Sequence, residues 1–354
     1  MSCTSLLSAM WKSNPTDQNR GGVSAPVADW RVTDVNVISR QRSGIFGVVI
    51  LWIMLFHSSV NLKWLPLHLI KSTGYAGVDV FFFLSGVGLF YSMEKDPSPL
   101  HFYKKRAVRV ILPFLLVALV YEGTRFLMGE ITAGAFLSNV TLVSYWRNGT
   151  ATYWFIAAIL VLYLVYPLLY RIVKRRHYAV QVLLLLGAFA LACFLYPNGV
   201  LFYRYAGFVF RLPIILLGCF LAPVVKEGRQ LPTIPTVVIT FIVACGCFLL
   251  WGVCGGDWWF LRMYIFIPLS LSLILLGSVV LSFIPKETIL QRGLLFLGGM
   301  TLELYLVHEK LLALLSGLLP QWNLWGLNGL AVAFSIAVAW CLRKLCDQIS
   351  RKIL

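Results

Sequence analysis

Ten stretches of the chain are apolar over a length that lets a helix cross roughly 30 Å of hydrocarbon. They fall at 44–60, 76–93, 110–128, 153–170, 179–196, 207–225, 234–253, 261–283, 294–316 and 327–345. Several touch a Trp or Tyr of the kind that anchors a span at the lipid–water interface, among them Trp52, Tyr91, Tyr121, Trp154 and Trp251. The pattern predicts an all-α, polytopic transmembrane helical bundle of about ten spans. Residues 1–39 hold Asn, Ser, Pro, Gly and Asp without an apolar run, which predicts a mobile cytoplasmic tail ahead of one transmembrane domain at 40–354.

Composition makes lipid the solvent. With 59% hydrophobic and 12% charged residues, and a mean hydropathy of +0.82, a 354-residue globule has too few polar side chains to coat itself. The net charge of +16 raises nucleic-acid binding as an alternative, and the placement of the cations answers it. Of the 30 Lys and Arg, 22 lie in the tail, in alternate short connections and at the C-terminal end, which puts both termini in the cytoplasm. The expected partner is therefore the bilayer and not nucleic acid. The eight cysteines lie mostly within apolar runs without metal-ligand spacing, so neither a metal site nor a bound cofactor is expected.

An ionisable group in lipid costs several kcal/mol, so each one retained there needs a partner or a role. His57 closes the first span and Asp79 opens the second from the same side, which allows a dyad in which the carboxylate fixes the imidazole tautomer. The alternative makes His57 a helix-end residue at the interface and Asp79 a carboxylate favoured by the helix dipole. The ninth span has the most polar interior, with Thr301, Tyr305 and His308 on one face and Glu303 and Lys310 on another, a row suited to lining a cavity. In the first inner connection, Lys105 adjoins Arg106 and Arg109. These two arginines are three apart at a helix start and offer guanidinium forks to phosphates. The outer connection at 129–152, with Tyr145, Trp146, Arg147 and Asn148 and then Tyr153 and Trp154, has a mix suited either to sugar stacking or to an interfacial belt.

These segments together resemble the acyltransferase-3 family, membrane proteins that move acyl groups, commonly acetyl, onto surface carbohydrates. The matching blocks are the His57 segment, Gly77-Val78-Asp79-Val80-Phe81-Phe82-Phe83-Leu84-Ser85-Gly86, and Arg106-x-x-Arg109 with Pro113. Further on come Trp154-Phe155 with Tyr166-Pro167, Phe210-Arg211-Leu212-Pro213 with Gly218, and Leu304-Tyr305-Leu306-Val307-His308. They run in order over about 40–345. The resemblance implies that His57 is the catalytic base and that Arg106 and Arg109 hold an acyl-CoA donor, acetyl-CoA in the common case; the reading of the residues themselves adds Asp79 to orient His57 and Lys105 beside the donor arginines. Glu303, Tyr305, His308 and Ser85 would line the acceptor side, with polar contacts from Arg211 and Arg262. The acceptor implied is a cell-surface carbohydrate and the location the cell membrane. Many members carry an arginine eleven residues before the histidine; here that position is Phe46. Arg42 lies about 22 Å from His57 along a helix, too far to take that place directly.

A proton-coupled transporter or flippase of a polar solute is the rival from another class, since buried Glu, His and Arg on ten spans also describe a carrier. A carrier has no need of paired arginines at an inner mouth, whereas an enzyme using acyl-CoA does.

Overall fold

The computed structural model describes residues 32–149, 151–196, 199–254 and 264–353. Strand β1 (Val32–Asp34) leads into α1 (Val37–His57), followed by α2 (Leu65–Ser72), α3 (Ala76–Lys95) and α4 (Pro99–Arg106). A π-helical turn at Ala107–Ile111 connects α4 to α5 (Leu112–Leu127). Two short helices, α6 (Ala133–Val140) and α7 (Val143–Asn148), precede α8 (Trp154–Lys174), α9 (Tyr178–Leu195), α10 (Gly199–Val209) and α11 (Leu212–Glu227). Strand β2 (Gln230–Pro232) pairs antiparallel with β1, Val32 opposite Pro232. Then come α12 (Thr233–Cys254), α13 (Phe266–Phe283), α14 (Ile289–Gly299), α15 (Thr301–Leu318) and α16 (Leu324–Ile353).

Among the described residues, nine helical stretches are long and apolar enough to cross a membrane, and they coincide with nine of the ten predicted spans. The tenth, predicted as one helix over 294–316, is divided. The break falls at Met300 (φ −120, ψ 28), directly after Gly298 and Gly299, where two glycines in sequence weaken helix propagation. The polar half, α15, carries Glu303, His308, Glu309 and Lys310. The predicted tail is also corrected at its end. Residues 32–34 are a paired strand and α1 already begins at Val37, so 32–39 are part of the folded domain.

Helix ends predicted to share the cytoplasmic face do meet. Glu94 at the end of α3 accepts from Tyr170 Oη (2.5 Å) and Lys226 Nζ (2.6 Å), and lies 3.1 Å from Lys174 Nζ. The β1–β2 pairing ties the start of α1 to the α11–α12 connection at this same end, termed the inner end below.

The densest packing is made by residues that lack side chains. A Cβ on Gly86 would stand 2.7 Å from the Cys219 amide nitrogen, and one on Gly218 would stand 2.7 Å from Phe83 Cα, so α3 and α11 touch backbone to backbone. Gly47 and Gly298 do the same for α1 and α14, each 2.8 Å from a carbonyl carbon of the other helix by that measure. With no hydrophobic drive between helices in lipid, such close approach supplies dispersion contact instead. Helix α3, buried through Phe81, Phe82, Phe83 and Leu84, forms the centre. Helices α9 and α12 expose Leu183, Leu186, Phe194, Ile239, Ile242 and Leu249, an apolar surface tolerable only against lipid.

Candidate active site

His57 is the last residue of α1, which stops because Ser58 turns to extended backbone (φ −62, ψ 146). Its Nδ1 faces Glu309 Oε1 on α15, where the ring N–H donates to the carboxylate. The ring stands edge-on to that of His308, with centroids 5.2 Å apart. His308 is buried, and its Nδ1 donates to the carbonyls of Leu304 (3.0 Å) and Tyr305 (3.1 Å). Carbonyl oxygens only accept, so the His308 proton sits on Nδ1 and Nε2 carries a lone pair. That Nε2 is buried without a hydrogen-bond partner among the described residues. His57, His308 and Glu309 offer ligand atoms within 4.8 Å of one another, close enough to gather round a metal ion, although in this arrangement His57 and Glu309 are engaged with each other.

The dyad opens on a cavity of about 460 Å³, whose wall includes His57, Glu309, Lys310, Tyr75, Tyr121 and Trp154. A second cavity, of about 120 Å³, lies toward the inner end. Arg109, Arg343, Glu303 and Ser85 give it polar lining, and Phe46, Phe81 and Phe155 its apolar wall. Tyr305 lines both cavities, its ring 4.9 Å from that of Phe155. One side chain thus stands between them.

Positive charge collects at the inner cavity. Arg343 Nη1 lies 3.4 Å from Glu303 and its Nε 3.1 Å from Asp347. Arg42 reaches over Phe46, 5.8 Å from the ring, and its guanidinium feels the charges of both Arg106 and Arg109. Arg109 and Arg343 thus line the cavity with Arg42 beside its Phe46 wall, three guanidinium groups near the carboxylates of Glu303 and Asp347. The arginine on α1 sits one turn before Phe46, and what it joins is this cluster, not His57.

Several predicted placements change. Asp79 is buried and does not reach His57; its Oδ1 lies 3.6 Å from Arg211 Nε. The cause is helical phase. Gly77 is the residue of α3 that packs on Val49 and Ile53 of α1, and Asp79, two positions on, is turned about 200° away toward α11. Arg211 Nη1 donates to Tyr75 Oη (2.7 Å) and to the Gly207 carbonyl (3.1 Å), and the guanidinium lies between the rings of Tyr75 (4.0 Å) and Trp154 (4.7 Å). The Asp79–Arg211 pair thus stands behind two walls of the outer cavity. Arg106 and Arg109 do not point together. The π-turn separates them, so Arg109 lines the inner cavity while Arg106 donates to Ser92 Oγ (2.8 Å) and lies 5.4 Å from the Phe102 ring. Lys105 turns away to Asp96 (2.8 Å). Ser85 and Glu303 line the inner cavity and not the one beside His57, and Arg262 lies outside the described residues. Tyr145 and Trp146 pack against Tyr205 of α10, whereas Trp154 lines the outer cavity together with Tyr75 and Tyr121.

Glu309 carried no role in the sequence reading. A signal for it exists, since Tyr305, Glu309 and Ala313 repeat every four residues and all line the outer cavity. An acid on that stripe, in the span facing His57, needs a counter-charge.

The acyltransferase-3 family model, an acyltransferase domain, matches residues 47–344. The chain belongs to that family and is a membrane acyltransferase. No curated protein and no solved structure matches it.

Proposed function

We propose that this protein transfers a short acyl group, acetyl in the simplest case, from a coenzyme A thioester held at the inner cavity to a hydroxyl of a carbohydrate in the outer cavity. The observation that carries this reading is the placement of an arginine cluster and a His–Glu pair on opposite sides of Tyr305. Arg42, Arg109 and Arg343 neutralise donor phosphates, and the pantetheine arm extends along Phe46, Phe81 and Phe155. Glu309 accepts from His57 Nδ1–H and leaves Nε2 to act. His57 Nε2 takes the acceptor hydroxyl proton as the oxygen attacks the thioester carbonyl. The carbon–sulfur bond then breaks, and the thiolate takes up the proton from His57. The products are an ester and the free thiol.

The test uses the full chain in detergent with radiolabelled acetyl-CoA and candidate glycans. His57→Ala is expected to lower turnover by about a hundredfold or more while leaving donor binding intact. The double variant Arg109→Ala, Arg343→Ala is expected to raise donor KM by about tenfold or more, with an effect that shrinks as salt is added. Turnover that survives His57→Ala removes the base, and donor binding indifferent to both arginines removes the donor mount.

A further inference from the structure

Lys310 projects into the outer cavity from α15, beside the dyad. Its ammonium lies 4.6 Å from the centroid of the Tyr153 ring and 5.2 Å from that of Tyr121. Two aromatic faces hold the cation in place without neutralising it. Among the described residues no carboxylate comes within 4.0 Å of it. Of the two acids nearby, Glu309 is engaged with His57, and the buried Glu122 is engaged through Oε2 with Arg125 Nη1 (3.2 Å) and Asn139 Nδ2 (2.8 Å), its Oε1 standing without a hydrogen-bond partner among the described residues and more than 4.0 Å from the ammonium. A half-buried ammonium in a cavity, oriented by two rings and short of an ion-pair partner, is an arrangement completed by an anion brought in from outside.

We infer that the outer cavity takes an acceptor bearing an anionic group, a carboxylate or phosphate on a hydroxyl-bearing sugar, which Lys310 grips while the hydroxyl to be acylated faces His57. This rests on the acyl-transfer reading above and narrows its acceptor class. The grip falls at the Lys310 ammonium beside Tyr121, and the engagement of the neighbouring Glu309 carboxylate with His57 limits its repulsion of the same group. The aromatic wall of Tyr75, Tyr121 and Trp154 takes the sugar's apolar face, so the charge fixes which end of the sugar enters first.

The experiment uses the full chain in nanodiscs, with acetyl-CoA as donor and three acceptors: a disaccharide ending in glucuronic acid, the same disaccharide ending in glucose, and its 6-phosphate. The wild type is expected to favour at least one charged acceptor by about tenfold or more in kcat/KM, the worth of one charge-assisted hydrogen bond. Lys310→Met is expected to bring that ratio to about one through KM, and Lys310→Arg to preserve it. Whether the carboxylate or the phosphate arm shows the larger ratio identifies the anion. Equal handling of all three sugars by the wild type, or a preference that persists in Lys310→Met, overturns the inference. Calorimetric binding of the same sugars without donor separates the two readings. Charge-selective binding with no acylated product from any sugar removes acyl transfer and leaves the Lys310 contact, whereas acylation without charge preference removes only the contact.

Discussion

Replacing Glu309 by Gln keeps the shape of the dyad and removes its charge. The amide oxygen still accepts from His57 Nδ1, so the imidazole remains oriented, and what is lost is the stabilisation of the imidazolium that forms as the acceptor proton is taken up. A charge-assisted hydrogen bond exceeds a neutral one by about 1.5–2 kcal/mol in a shielded site. The two side chains are 32% and 47% exposed, which holds the estimate to this range and not to the larger values of a sealed pocket. Converted to rate, the loss is about ten- to thirtyfold in kcat. The acceptor KM changes little because the charge is needed only in the transition state. Stability also changes little, since a pair this exposed contributes less than about 1 kcal/mol. Initial rates of labelled acetyl transfer at saturating acceptor, alongside thermal unfolding in the same detergent, read both quantities. If Glu309→Gln stays within about twofold of wild-type kcat, Glu309 does not act through His57. If Asp79→Asn cuts kcat as deeply at unchanged Tm, the dyad first read from the sequence is the working one.

Two further expectations concern folding. Arg211→Met leaves Asp79 buried and unpaired and is expected to cost about 3–5 kcal/mol, seen as a large fall in Tm, with Asp79→Leu in the same chain restoring most of it; a Tm unaffected by Arg211→Met would mean that the buried pair contributes nothing. Gly47→Ala drives a methyl into the Leu294 backbone and is expected to cost about 1–3 kcal/mol or more, whereas Gly187→Ala, with nothing within 4 Å, is expected to be neutral or mildly stabilising. Equal melting of the two variants would refute the close α1–α14 contact.

The bundle was legible because lipid imposes a strong constraint on sequence: an apolar run of the right length has few other fates. Nine spans followed from that alone, and the tenth departed where Gly298 and Gly299 interrupt an otherwise helical stretch. The site was legible by residue type more than by pairing. His57 and His308 do come together, and Arg109 does line the inner cavity. Asp79 and Glu309 exchanged roles because pairing depends on which face of each helix meets its neighbour, a matter decided by small residues such as Gly77 whose influence appears only once helices are packed. Arg106 was misdirected for a related reason. A π-turn adds a residue to one loop of helix and rotates everything after it, and no periodicity in Lys104–Arg109 announces it.

Tyr305 has a consequence for the membrane as an insulator. Two cavities that share Tyr305 would, once water fills them from opposite faces, shorten the dielectric layer at that point and focus the transmembrane voltage near the ring and its neighbour Phe155. Moving one elementary charge through the full drop is worth about 2.3 kcal/mol per 100 mV. Any charge displaced between the arginine end and the histidine end during turnover would then feel a large share of that potential.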